Sequence, residues 1–162
     1  MTEYKSDPPA PRAPGLSLKG RALRYLSARE HSRAELVRKL APHADTPEEL
    51  ERVLDDLQAK DFISEARVAD SVVNRRAARF GAARVKQELQ RKGLSSDLIA
   101  DAVNGLKTTE LSRAREVWRR KFSEPASDAA GRAKQMRFLA ARGFSADVIR
   151  RAVSGSRDEE EA

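Results

Sequence analysis

The side chains that most often carry enzymatic chemistry are scarce in this chain of 162 residues. It contains no cysteine, so a thiolate nucleophile, a thiolate metal site and a disulfide framework are excluded together. Its two histidines, His31 and His43, fall in or beside predicted loops, and His43 with Asp45 could in principle relay a proton or contribute to a metal site. A solvated loop is the simpler interpretation of that pair. We therefore expect a protein that is not an enzyme and that binds no metal and no cofactor.

The glycine and carboxylate patterns lead to the same expectation. The eight glycines are never closer than five positions apart, so the chain has neither a dinucleotide fingerprint nor a P-loop. Neighbouring carboxylates such as Asp55 and Asp56 point in different directions from a predicted helix, which favours a solvated face over an acid and base pair. Function is therefore expected to rest on binding.

Basic charge is concentrated in one part of the chain. Residues 1–65 carry 11 basic and 12 acidic side chains, a net charge of −1, whereas residues 66–153 carry 20 basic and 9 acidic side chains, a net charge of +11. Arginine outnumbers lysine by 23 to 9, and its guanidinium makes paired hydrogen bonds with phosphates and carboxylates. Charge on any one helix also serves simply to solvate it. The excess along the whole segment predicts a polyanionic partner for the second half.

The candidate binding residues are the basic side chains on the polar faces of the predicted helices in this second half. Two helical ion pairs, Arg84 with Glu88 and Glu116 with Arg120, are expected to neutralise a small part of the charge. Most of the excess remains after these pairs are set aside. The candidates are Arg75, Arg76, Arg79, Arg84, Lys86, Arg91, Lys92, Arg115, Arg119, Arg120, Arg132, Lys134, Arg137 and Arg142.

Aromatic side chains could stack on bases, but their spacing favours core packing instead. Phe80, Trp118 and Phe122 fall on the apolar stripes of their predicted helices, and Phe144 aligns with a leucine in the repeat described next. The stripe that contains Trp118 leaves Arg113 directed outward.

The elements that position these residues form an internal repeat. LQRKGLSSDLIADAV at 89–103 and LAARGFSADVIRRAV at 139–153 are identical at seven of fifteen positions, with an offset of 50. The N-terminal part joins at an offset of 49, where Leu40 precedes Leu89. Ala, Leu, Glu, Gln, Lys and Arg supply 91 residues, whereas Val, Ile and Thr supply 17. The sequence therefore predicts an all-α chain of three tandem three-helix repeats, stacked into an elongated, curved array.

The chain divides into five predicted segments. Gly93 and Gly143 are expected to end the middle helices of the second and third repeats. The predicted helices of these repeats run roughly over 65–79, 82–92, 95–106, 110–122, 128–142 and 145–153. The segments are a disordered Pro-rich tail at 1–15, repeats at 16–64, 65–107 and 108–154, and an acidic C-terminal tail at 155–162.

Helix starts in the first repeat carry clear signals. Ser32 is a predicted cap, and Leu36 and Val37 begin the apolar stripe that follows it. Thr46 precedes a proline at the first helical position, and Glu49 is placed to complete a capping box with it.

The N-terminus, MTEYKSDPPAPRAPG, has no apolar region of the kind found in signal peptides. The chain also has no apolar stretch approaching the length of a membrane span. We therefore expect a soluble, cytoplasmic protein that does not bind membranes and that is a monomer.

Four segments together resemble one family. They are AREHSRAELVRKL at 28–40, VLDDLQAKDFISEARVADSVVNRR at 53–76, GAARVKQELQRKGLSSDLI at 81–99 and FLAARGFSADVI at 138–149. In this order they resemble the RecX regulatory proteins, bacterial modulators of the RecA recombinase. One departure is Val68, which stands where the family tends to have an aromatic residue.

The resemblance implies a non-enzymatic protein built of three-helix repeats. Such a protein binds in the groove of the RecA filament on single-stranded DNA and inhibits RecA ATP hydrolysis, strand exchange and coprotease activity, thereby modulating recombination and the SOS response. Two alternatives stay open. One is a helical nucleic-acid-binding protein that acts on DNA directly without a recombinase partner. The other is an adaptor for a different acidic protein surface.

Overall fold

A computed structural model describes residues 15–155, which fold into nine α-helices and one short 3-10 helix, with no strand in this range. The tails predicted at 1–15 and 155–162 lie, apart from Gly15 and Gly155, outside the described residues. The helices are α1 Leu18–Ala28, α2 Arg33–Leu40, the 3-10 helix Ala41–His43, α3 Pro47–Ala59, α4 Glu65–Arg76, α5 Ala82–Arg91, α6 Ser96–Lys107, α7 Glu110–Phe122, α8 Ala129–Ala141 and α9 Ala146–Val153.

The helices form three units, α1 to α3, α4 to α6 and α7 to α9, and each unit has its own apolar cluster. Leu36 and Leu54 are fully buried in the first unit, Leu89 in the second and Leu139 in the third. Leu89 and Leu139 are equivalent positions of the repeat. The predicted all-α fold of three tandem three-helix repeats is confirmed.

Local signals start and end the helices largely as predicted. Ser32 caps α2 and forms a complete capping box with Glu35. Thr46 caps α3 through the Glu49 N–H, but the Glu49 carboxylate accepts from the Asp45 N–H instead of closing the predicted box. The two predicted terminal glycines have the left-handed backbone that favours glycine, with φ of 73° and 84° at positions 93 and 143.

Two predictions about the surface are wrong. Arg113 is directed inward, where its Nη1 donates to the carbonyls of Ala77 at 2.9 Å and Phe80 at 2.7 Å, and burial lowers the pKa of its guanidinium. The chain turns at those carbonyls, so α4 ends three residues earlier than predicted. Val37 is 39% exposed, because it lies about 100° around α2 from the buried Leu36.

Consecutive units meet at two junctions built from equivalent positions of the repeat. In the first junction the start of α2 contacts the end of α5, and the Ser32 hydroxyl donates to the Lys92 carbonyl at 2.6 Å. In the second junction the start of α5 contacts the end of α8, and the Gly81 N–H donates to the Arg142 carbonyl at 2.8 Å. Because α5 takes part in both, the three units lie in series along α2, α5 and α8.

Candidate functional site

The second junction gathers three arginines around one aromatic ring. The guanidinium carbons of Arg76, Arg84 and Arg142 lie 5.7, 5.3 and 5.6 Å from the centroid of the Phe80 ring. Arg76 and Arg84 belong to the second unit and Arg142 to the third. We refer to these four residues as the Phe80 cluster. Each contact is a cation–π interaction, which holds the guanidinium in place without neutralising its charge.

Of the two predicted ion pairs, Glu116 with Arg120 is present, with Arg120 Nη2 3.8 Å from the Glu116 carboxylate, and Arg84 with Glu88 is not. Glu88 accepts from Arg75 at 2.9 Å and from Arg76 at 2.8 Å, so it does not form the predicted pair with Arg84. Arg84 instead donates across the junction to the Ala141 carbonyl at 3.0 Å. Within residues 15–155, no carboxylate forms an ion pair with Arg84 or with Arg142.

Two shallow clefts flank the cluster and extend its positive charge. A cleft of about 250 Å³ lies on the second unit and includes Arg91. A cleft of about 290 Å³ crosses to the third unit, where Arg142 also lies 4.9 Å from the Phe138 ring and Lys121 lies 5.9 Å from it. The junction surface therefore includes six of the predicted binding residues: Arg76, Arg79, Arg84, Arg91, Arg120 and Arg142.

The other predicted binding residues lie elsewhere. Lys92 is in the first junction, where its Nζ lies 2.8 Å from Glu35 and its side chain is 13% exposed. Lys86 lines a groove between α5 and α6. Arg115 is half-buried and Arg119 is exposed on α7. Arg132, Lys134 and Arg137 are exposed on α8, and Arg75 pairs with Glu88 as described.

The aromatic residues divide between the core and the junction. Trp118 is 5% exposed and donates through Nε1 to Gln135 at 3.1 Å, and Phe144 is also 5% exposed, so both pack in the core as predicted. Phe80 is half-buried: it packs against the apolar cluster of the second unit, as predicted, and its ring is also contacted by guanidinium groups. Sequence reasoning also missed Lys121, since its proximity to Phe138 depends on how α7 and α8 pack.

The histidines do not form a reactive group with each other. His31 is 2% exposed, its Nδ1 lies 3.0 Å from the Arg29 carbonyl and its Nε2 lies 3.1 Å from Lys39 Nζ. Burial, together with these neighbouring cations, lowers the pKa of the His31 imidazole, which favours its neutral form. His43 is exposed in the 3-10 helix.

Residues 15–155 contain no group of three or more His, Asp or Glu side chains placed to hold a metal ion. No helix in the same range is long and apolar enough to cross a membrane.

Comparison with known families agrees with the three-unit structure. Sequence profiles described as the first, second and third three-helix domains of RecX match residues 19–57, 64–103 and 108–153. The chain belongs to the RecX family. A protein named regulatory protein RecX from Leptothrix cholodnii is 65% identical over 137 residues, which cover 85% of this chain and 87% of the relative. The RecX of Ralstonia nicotianae is 52% identical over 146 residues, which cover 90% and 91%.

Solved RecX structures share the fold at lower identity. RecX from Lactobacillus salivarius superposes with a TM-score of 0.73 at 21% identity, covering 85% of this chain and 92% of that one. A second crystal structure, of a regulatory protein RecX, gives 0.69 at 24% identity, covering 82% and 69%.

Proposed function

We propose that this RecX protein regulates the RecA recombinase by binding the filament that RecA forms on single-stranded DNA. Its relatives carry the name regulatory protein RecX. The proposed effect is inhibition of RecA ATP hydrolysis, strand exchange and coprotease activity, and thereby modulation of recombination and the SOS response. The proposal assigns no catalytic step and no cofactor to the chain itself, which acts in the cytoplasm as a monomer.

The observation that carries the proposal is the Phe80 cluster with its flanking clefts. It spans two units, and its Arg84 and Arg142 have no carboxylate partner among residues 15–155. A surface of this kind, with arginines spread over a series of helices, suits a long polyanionic groove better than a small substrate.

Inhibition follows from the serial arrangement of the units. A protein whose adjacent units contact successive filament subunits stabilises one relative geometry of those subunits. ATP hydrolysis requires the subunits to pass through other geometries, so binding to one of them opposes turnover. The additional basic residues of α8, including Arg132 and Lys134, extend the contact along the third unit.

The test is RecA-catalysed, DNA-dependent ATP hydrolysis measured with and without the protein. We expect substoichiometric amounts to slow hydrolysis at salt concentrations where binding to bare single strands is already weak, because protein contacts survive salt better than phosphate contacts. Inhibition that appears only when the DNA is fully covered, and that excess strand removes, would instead favour direct DNA binding without a recombinase partner.

Two double variants with the same change in net charge locate the surface. Arg79→Glu with Arg91→Glu changes the junction surface, and Arg24→Glu with Arg38→Glu changes exposed arginines of the first unit. None of these four side chains forms an ion pair within the described residues. We expect the first variant to need at least about tenfold more protein for half-inhibition, a loss of about 1.4 kcal/mol. Equal losses from both variants would contradict the placement.

A further inference from the structure

The two junctions carry different charges at equivalent positions of the repeat. In the first junction the Glu35 carboxylate faces Lys92 across the contact at 2.8 Å. At the repeat offset of 49, the position of Glu35 corresponds to Arg84, and at the offset of 50, the position of Lys92 corresponds to Arg142. The second junction therefore has a cation at each of the positions that form an ion pair in the first.

The hydrogen bonds of the second junction leave most donors of these two arginines unused. Arg84 donates through Nη1 to the Ala141 carbonyl, and Arg142 donates through Nη1 to the Arg79 carbonyl at 3.5 Å. A guanidinium has five N–H groups, and Nε and Nη2 of both residues make no hydrogen bond with the described residues. Two partly unsatisfied cations thus flank one contact between units.

We propose that the second junction is an anion site in which backbone phosphates of a nucleic-acid strand contact Arg84 and Arg142 together. In this site the phosphates bind the cations of the second junction as the Glu35 carboxylate binds Lys92 in the first. They thereby hold the second and third units together. This inference deepens the proposed function, since it names the chemistry by which the junction surface meets single-stranded DNA.

A strand fits this position better than an isolated acidic side chain. The cations continue on both sides of the pair, through Arg91 on the second unit and through Lys121 on the third, where Arg120 also lies but is paired with Glu116 at 3.8 Å. A row of cations matches an anion that repeats along a chain. The start of α5 needs no ligand of its own, because the buried Glu110 carboxylate already accepts from the Ala82 N–H at 3.3 Å.

The decisive variant is Arg84→Glu, which gives the second junction the charge arrangement of the first. Its carboxylate is expected to pair with Arg142 and to raise the thermal midpoint by about 2 to 4 °C in phosphate-free, low-salt buffer. Because both phosphate contacts are lost together, the slope of log affinity for oligothymidylate against log salt is expected to fall by about 1.4. Arg38→Glu is the control with the same change in charge, and its slope is expected to match the unmodified protein.

A second measurement follows stabilisation by the ligand. Oligothymidylate of about fifteen nucleotides is expected to raise the thermal midpoint of the unmodified protein and of Arg38→Glu, but to leave that of Arg84→Glu unchanged. Arg84→Gln removes the cation without adding a carboxylate, so it is expected to lose stabilisation by the oligonucleotide without the gain in midpoint. Equal slopes and equal oligonucleotide-induced shifts in Arg84→Glu and Arg38→Glu would overturn the proposal.

RecA assays separate this inference from the proposed function. If Arg84→Glu loses oligothymidylate binding but inhibits RecA normally, the phosphate site stands and the filament does not use it. If Arg84→Glu loses RecA inhibition but binds oligothymidylate as Arg38→Glu does, the cluster meets acidic side chains of the protein partner and the phosphate proposal is wrong.

Discussion

The first and second junctions join equivalent ends of equivalent helices, but different chemistry holds them. The first uses side chains: the Ser32 hydroxyl donates across the contact, and the Glu35 and Lys92 side chains form a pair that is only 10% and 13% exposed. The second uses a backbone hydrogen bond from the Gly81 N–H, together with bonds from Arg84 and Arg142 to backbone carbonyls. The guanidinium groups of both arginines also lie against Phe80.

One repeat geometry thus supports two kinds of contact between units. At the second junction the two backbone segments approach so closely that a Cβ on Gly81 would collide with the Gly143 carbonyl group. Backbone contact therefore contributes to the cohesion, and the two cations Arg84 and Arg142 lie at this junction without an ion pair between their positions. At the first junction the charges satisfy one another within the chain. The first junction is thus structural, and the second combines a structural contact with the proposed surface for anions.

The largest expected effect comes from adding a side chain at the glycine contact of the second junction. Gly81→Ala is expected to destabilise the protein by at least about 3 kcal/mol, because the added Cβ collides with backbone atoms that cannot move independently. Gly105→Ala in α6 is the matched control. No atom lies within 4 Å of its added Cβ, so a gain of about 0.5 to 1 kcal/mol is expected. Chemical denaturation measures both, and similar stabilities would remove the backbone account of the second junction.

Acid is expected to weaken the first junction selectively. Burial on its own raises the pKa of the Glu35 carboxyl, but hydrogen bonds from Lys92, the Ser32 N–H and Arg29 outweigh it and lower the pKa from 4.5 to about 2. Stability from this group is complete above pH 4.5 and is lost as the pH falls towards 2, about 2 to 3 kcal/mol in all. Hydrogen exchange of α2 amides measures the loss.

His31 adds to this acid sensitivity at higher pH. Since burial lowers the pKa of its imidazole below 6.5, its contribution is complete above pH 6.5 and falls as protons bind below that value. Glu35→Gln should remove the larger part of the dependence between pH 4.5 and 2 while leaving the His31 phase and a smaller part from Asp56, whose pKa is lowered by hydrogen bonds from Lys60 and Lys19. An undiminished low-pH phase in that variant would assign it to another group.

Removing the hydroxyl at the first junction is expected to have a moderate effect. Ser32→Ala loses the cap of α2 and the bond to the Lys92 carbonyl, at a cost of about 1 to 2 kcal/mol. Ser95→Ala removes a cap that makes no contact between units, so its cost should be about 1 kcal/mol or less. Thermal denaturation compares the two, and an equal loss would show that the bond across the junction contributes nothing.

Salt is expected to stabilise the second junction and to weaken the first, and this is the smallest of the expected effects. Raising the salt concentration from about 0.05 to about 0.5 M screens the repulsion between Arg84 and Arg142 and weakens the pair of Glu35 with Lys92, each by about 0.5 kcal/mol. Hydrogen exchange at the end of α8 should slow while that of α2 accelerates. Parallel changes at both ends would contradict the contrast in charge.

The fold could be predicted because its determinants are local. Apolar periodicity, the Ser32 and Thr46 caps and the glycines at 93 and 143 each act within a few residues, and the internal repeat supplied the order of units. The profile matches and the nine helices agree with that prediction.

The arrangement of the site could not be predicted in the same detail, because its contacts join residues of different helices. The i, i+4 spacing of Arg84 and Glu88 favours an ion pair, yet α4 brings Arg75 and Arg76 to that carboxylate first. Helical periodicity places Arg113 on an outer face but does not show that carbonyls at the end of another helix cover it. The charge distribution along the sequence indicated the second half as the candidate region. Contacts between helices then determine which of its arginines are not engaged by a carboxylate or buried.

The contacts along α2, α5 and α8 also align the dipoles of three helices. Each junction brings the partly positive amino end of one helix to the partly negative carboxyl end of the next, which is the favourable order. The two poles left over are compensated within the chain. Asp128 caps the amino end of α8, and Arg38 and Lys39 lie in the last turn of α2. The two outer ends of the series therefore carry side chains that stabilise their poles, as the neighbouring helix does at each junction.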